Sequence, residues 1–345
     1  MPSYLKIKRI KDASERTRIV EKLLLLRAQL DRDIPPKTAL DTLLLATWNI
    51  RKFGDNRLDE SLHYIAEIIS RFDLVAVQEV SSSLVGLQKL VALLGHNWDY
   101  IVTDSTEGNS GGSERMAFIF DKCKVFFRKM AGEIVLPTNM LINQEIQFAR
   151  TPYSVAFQAG WFRFLLTTVH IYYGTAKKND PRRVEEITKI ADFLKKRAKK
   201  EDENYILLGD FNIFNTGDDT MKALEKAGFY IPEDLRNHPT NFGKDKYYDQ
   251  IAFKLKMEPQ MIVFSEQNQR AGAFDFTETI YPPQDMNHYR MYFDEKTLMG
   301  KTEQQIEKYY LDTWRTFQMS DHLPLWIELK VDFSNQHLKK IGQPE

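Results

Sequence analysis

The stretch NYILLGDFN, residues 204–212, is apolar without alternation until it stops on a carboxylate and a carboxamide, Asp210 and Asn212. An unbroken apolar run of this length reads as a strand covered on both faces. Working outward, LLLATWNI (43–50), DLVAVQEV (73–80), YIVTD (100–104), ERMAFIF (114–120), YSVAFQ (153–158), FRFLLTTVH (162–170) and DQIAFK (249–254) are strand-length runs of the same kind. Helical spacing occupies 59–71, 82–94, 181–199 and 217–227. Strand pairs interleaved with helices predict an α/β chain of two sheets packed face to face with helices outside.

The 345 residues suit two domains or one large α/β unit. Apolar residues are 43% and charged residues 28%, which excludes a disordered or fibrous chain. Lys and Arg total 48 and so do Asp and Glu, so no global cationic field exists and any phosphate-binding surface must be local. The single cysteine, Cys123, forms no intrachain disulfide, and residues 1–12 lead into no signal-peptide core. The expectation is a soluble, cytoplasmic protein with no membrane partner; oligomeric state is left open.

Residues 1–40 read as a helical extension and linker, with a helix over 14–31 stopped by Pro35-Pro36. Residues 41–333 read as the main domain, and 334–345 as a tail. Residues 283–318 interrupt the domain with many aromatics among charges, and a connection of that length is often functional.

Polar residues recur at strand ends. Asn49, Glu79, His170 and Asp210 with Asn212 close their runs, Asp249 opens its own, and Asp321-His322 precede LPLWIEL. Each alone has a bland explanation: a helix cap for Glu79 or Asp321, a core histidine for His170, an Asx-turn for the GDFN segment. Six strands with such ends are harder to explain by packing, because burying a carboxylate or imidazole is costly unless it is paired or metal-bound. Glu79, Asp210, Asp321 and Asn49 offer hard oxygen donors suited to Mg²⁺ or Mn²⁺, with Ca²⁺ as a further candidate. His170 and His322 titrate near neutral pH, and Glu114 and Asp249 are candidates to orient them and raise their pKa values. Together these groups suit phosphodiester hydrolysis.

TWNIRKFG, DLVAVQEV, SERMAFIF, TTVHIYYG, LLGDFN, YYDQIAF and MSDHLPLW, taken in order over about residues 43–330, resemble the endonuclease/exonuclease/phosphatase superfamily and its deoxyribonuclease I branch. The resemblance implies a four-layered α/β/β/α sandwich. It implies Glu79 as principal metal ligand, completed by Asn49, Asp210 and Asp321, and it implies His170 with Glu114 and His322 with Asp249 as the proton-transfer pairs. Asp210 is the base in some members. Asn212, Arg150 and Arg51 would contact phosphates. The implied reaction is in-line attack by water that leaves a 5′-phosphate and a 3′-hydroxyl, with His322 as base and His170 as acid, or the two roles exchanged. The substrate would be DNA, duplex or single-stranded, with RNA as a second candidate.

Ser81 and Gly112 stand where that branch has an arginine and a tyrosine that enter the minor groove, and Gly112 belongs to the run EGNSGGS (107–113). Tyr289, Arg290, Tyr292, Tyr309, Tyr310, Trp314 and Arg315 are candidates to replace those contacts by stacking on bases; the alternative is that they pack their own insertion. The basic run 182–200 reads as the solvated face of an outer helix. A sphingomyelinase-like or inositol-phosphate phosphatase and a catalytically silent binding module are the competing functions. His322→Ala is expected to lower turnover of bis-p-nitrophenyl phosphate by about 10²–10⁴; near-normal turnover would remove the acid–base pair.

Overall fold

Strand β1 (Thr42–Phe53) alternates its apolar side chains between two cores. Leu43 and Leu45 enter the space between the sheets, whereas Leu44, Ala46, Trp48 and Ile50 point to an outer cluster. The period of two that places them is the geometry of the pleat. The same split recurs in β2 (Leu74–Ser81) and β4 (Glu114–Asp121), whose Ala76 and Phe118 face inward while Val77 and Ile119 face outward.

The structure, a computed structural model, describes residues 2–106, 112–175, 177–256, 262 and 270–342. Most of the EGNSGGS run therefore lies outside the described residues. The other strands are β3 (Trp98–Val102), β5 (Val125–Glu133), β6 (Tyr153–Ala159), β7 (Phe162–His170), β8 (Asn204–Asp210), β9 (Asp249–Lys254), β10 (Ala271–Ala273) and β11 (Leu325–Lys330). They form a six-stranded sheet, β10-β11-β1-β2-β4-β3, and a five-stranded sheet, β5-β6-β7-β8-β9. Both sheets are mixed: β1/β2 and β7/β8 are parallel, and the remaining pairings are antiparallel.

After a short helix α1 (Leu5–Lys8), helices α2 (Ala13–Asp33), α3 (Asp59–Ser70) and α4 (Val85–Leu94) cover the six-stranded sheet. Helices α5 (Pro181–Ala198) and α6 (Asp219–Lys226) cover the five-stranded one. The four layers match the α/β/β/α sandwich. Helix α5 starts sharply because Pro181 needs no amide partner and Asp180 accepts from the amides of Arg182 and Arg183. Strands β5 and β10 escape the sequence pattern. Strand β5 is an edge strand that is mostly exposed and broken by a register shift around Lys129, so its apolar spacing is lost.

Helix α2 packs on the outside of the main domain. Ile19, Leu23, Leu26 and Leu30 are buried in the outer cluster, and the Arg71 guanidinium donates to the carbonyls of Leu30 (2.9 Å) and Ile34 (3.2 Å). The insertion also turns inward. Tyr289, Tyr310 and Trp314 are buried, with rings 5.0–6.3 Å apart, and Arg290 pairs with Glu303. Of the two readings of this segment, packing of the insertion on itself holds for those three rings, because desolvating them against one another satisfies them internally. Among the described residues no helix is long and apolar enough to cross a membrane. Leu26→Ala is expected to cost about 2–5 kcal/mol within a single cooperative urea transition. A separate early transition would instead mark α2 as an independent unit.

Candidate active site

Two backbone features aim the site. Gly209 has φ +131°, and a Cβ there would sit 2.1 Å from the Val169 carbonyl oxygen, so only glycine lets β8 lie this close to β7. The register then places His170 opposite Asp210, and Asp210 opposite Asp249. Glu79 adopts φ +58° where the register of β2 slips between Val77 and Val80. A left-handed backbone costs a non-glycine residue about 1–3 kcal/mol, and such strain clusters at functional sites. Asn212, at φ +53°, is a second case.

The strand ends meet at Asp210. Asn49 Nδ2 donates to Glu79 Oε1 (3.1 Å) and to Asp210 Oδ2 (3.0 Å). Asp210 Oδ2 also lies 3.5 Å from His170 Nε2 and 3.9 Å from His322 Nε2. The amide of Asn212 donates to Asp210 Oδ1 (2.9 Å), and the amide of Lys52 donates to Glu79 Oε2 (2.8 Å). His322 Nδ1 is 2.8 Å from Asp249 Oδ2. Ligand-type atoms of Glu79, Glu114 and His170 lie within 4.8 Å of one another, as do those of Asp210, Asp249 and His322.

The two imidazoles are in opposite electrostatic states. Burial pushes His170 down to about 4, reinforced by the Arg150 cation, although Asp210 and Glu79 pull the other way. Glu114 is not among the largest influences on this ring. Glu114 Oε1 is 3.1 Å from His170 Nδ1, but Nδ1 has no hydrogen-bond partner, and the same oxygen accepts from Arg150 Nε. The carboxylate is neutralised by the guanidinium instead. Burial also pushes His322 down, but Asp249 and Asp210 outweigh it and hold the ring well above its ordinary value. Glu79 stays ionised: burial raises its carboxyl, yet His170, the Lys52 amide and His322 bring it below the usual range.

Other expected contacts are placed differently. Asn49 turns its amide nitrogen to the acids, while its Oδ1 is buried without a partner. Asp321 belongs to neither cluster; its half-exposed side chain faces Arg51 Nε at 4.0 Å, and Arg51 Nη1 donates to Thr316. Asn212 Nδ2 donates to the Ile171 carbonyl (2.8 Å). Arg183, from the basic run, is wholly buried, because it donates to the carbonyls of Tyr172 (3.2 Å), Tyr173, Thr175 (3.2 Å) and Lys177 (3.1 Å).

Several supports escaped the sequence reading. Ser320 Oγ donates to the Asn49 carbonyl (2.6 Å) and accepts from the His322 amide (3.0 Å). Trp48 Nε1 donates to the His322 carbonyl (2.9 Å), and Thr240 Oγ1 accepts from the Asp249 amide (3.0 Å). Gln78 Nε2 donates to Thr47 (3.1 Å) in its own sheet and to Thr168 (2.9 Å) in the other. Only Ser320 carried a local signal, since it stands directly before Asp321-His322.

A family model described as Endonuclease/Exonuclease/phosphatase family matches residues 46–291. The chain belongs to this endonuclease/exonuclease/phosphatase family. It is 31% identical to the deoxyribonuclease of Thioalkalivibrio sp. over 184 residues, which is 52% of this chain and 48% of that protein. It is 29% identical to deoxyribonuclease-1 of Sus scrofa over 184 residues, which is 50% of this chain and 60% of that protein. The chain therefore spans about half the length of the curated relatives it matches, and they lie on the deoxyribonuclease I-like side of the family. A solved family protein from Bacteroides thetaiotaomicron superposes with a TM-score of 0.54 at 17% identity, covering 85% of this chain and 96% of the other, which shows the shared fold.

His170 yields a pH test. Its folded pKa of about 4 lies below the ordinary 6.5, so on acidification the unfolded chain takes up a proton that the folded site refuses. Stability from this group is present above about 6.5 and is lost toward 4, at about 1.4 kcal/mol per pH unit. Urea melts in EDTA at a series of pH values are expected to show a shallower acid limb for His170→Gln than for the unmutated chain.

Proposed function

We propose that this protein is a divalent-metal-dependent phosphodiesterase acting on nucleic acid, DNA foremost, that leaves 5′-phosphate and 3′-hydroxyl ends. The observation that carries the reading is the convergence of Asn49, Glu79, His170 and His322 on one carboxylate, Asp210. The donor set fits a hard cation: Glu79 is ionised, Asp210 lies beside it, and the buried Asn49 Oδ1 lacks a partner. When bound by Glu79 and Asp210, a cation such as Mg²⁺ or Mn²⁺ would supply charge neutralisation for the phosphorus centre.

The chain's own residues do the rest. One neutral and one protonated imidazole face each other across Asp210, which is the complement needed to accept a proton from water and return one to the leaving oxygen. Their charges support the exchanged assignment, with His170 as acceptor and His322 as donor. Asp249 orients the His322 ring through Nδ1, so Nε2 faces Asp210. Asn212 keeps a second amide hydrogen for a phosphate oxygen. Arg150 lines the adjoining cleft, placed for a flanking phosphate.

The test is a panel of plasmid, single-stranded DNA, RNA, sphingomyelin and bis-p-nitrophenyl phosphate, each with Mg²⁺ or EDTA. Phosphodiester cleavage abolished by EDTA and by Glu79→Ala is expected. Turnover of lipid alone, or cleavage that survives EDTA, would replace the proposal.

A further inference from the structure

Two half-exposed aromatic rings flank the catalytic pair, and each is stiffened from behind by a buried arginine. On the Glu79 side an open cleft of about 590 Å³ runs past Lys52, Asn56, Ser81 and Arg150 to Phe317. The buried Arg57 guanidinium lies 5.3 Å from the Phe317 ring centre and is held by the carbonyls of Lys52 (3.1 Å) and Arg51. On the other side, Tyr248 packs 5.5 Å from the His322 ring, and Tyr173 and Phe214 complete the group, with ring centres 5.5–6.4 Å apart. Tyr173 is 41% exposed, and the wholly buried Arg183 sits 5.5 Å from its ring.

Rings fixed in this way present a flat apolar face at little entropic cost, which is what stacking on a base requires. The cleft is large enough for a small ligand such as one nucleotide unit. Short side chains at Ser81 and Ser82 line its wall.

We propose that the site cuts unpaired, single-stranded nucleic acid, with one base seated against Phe317 beside Glu79 and another against Tyr173 beyond His322. This rests on the phosphodiesterase reading above and adds the strand state. Each aromatic acts by positioning the strand across the Asp210 centre; neither takes part in proton transfer. Stacking is thus assigned to Tyr173 in the loop after β7 and, within residues 283–318, to Phe317 alone.

The experiment compares one labelled oligodeoxynucleotide, alone and annealed to its complement, at equal Mg²⁺. The free strand is expected to be cleaved at least about tenfold more efficiently. Tyr173→Ala and Phe317→Ala are expected to raise KM for the free strand by about 5- to 150-fold, with the loss falling on KM rather than kcat. Tyr173→Phe should restore KM. Trp161→Ala, which removes an exposed aromatic at the opposite end of β7, serves as the control that leaves cleavage unchanged. Circular dichroism melts confirm that each variant is folded. Equal or better cleavage of the duplex, or an unchanged KM in both alanine variants, overturns this inference and leaves the phosphodiesterase reading standing. Cleavage of neither strand form overturns both.

Discussion

The side-chain amide of Asn49 stands between the half-buried carboxylate of Glu79 and the buried one of Asp210, and the site depends on that interposition. Glu79 and Asp210 end strands from different sheets, and in a low-dielectric interior two facing carboxylates repel strongly unless something positive lies between them. The two amide hydrogens of Asn49 provide that positive edge. Asn49 and Glu79 come from the six-stranded sheet and Asp210 from the five-stranded sheet, so the same bonds close the open end of the sandwich. A cation arriving there would take over a repulsion that the protein already counters with one side chain.

Around this centre the two halves are built unequally. His322 has a carboxylate partner of its own in Asp249, whereas the acid nearest His170 is occupied by Arg150. The result is a charged ring facing a neutral one across 3.9 Å and 3.5 Å approaches to a shared oxygen. The difference comes from which partner each acid faces, since both rings are buried at strand or loop ends.

Much of the scaffold was legible because burial makes polar strand ends conspicuous. Asn49, Glu79, His170 and Asp210 could be read as a group once their runs were taken as strands covered on both faces. What stayed hidden acts through the backbone or through packing direction. Ser320 and Trp48 secure the site by bonding main-chain groups far away in sequence, and Thr240 by bonding the Asp249 amide, roles that residue type does not announce. Composition likewise cannot say which way an aromatic faces. Trp314 and Tyr310 face inward, while Tyr173, in an ordinary-looking TTVHIYYG stretch, faces out. Arg183 looked like part of a solvated basic face, but carbonyls of the preceding loop draw it inside.

Gln78 has a consequence for motion. Its amide ties β2 to β1 through Thr47 and, across the sandwich, to β7 through Thr168, directly beneath the residues that converge on Asp210. Sliding one sheet over the other would strand these buried groups without partners, a penalty of about 1–3 kcal/mol each. The base of the cleft therefore behaves as a keel that resists shear, and accommodation of differently shaped ligands is left to the rim segments alone.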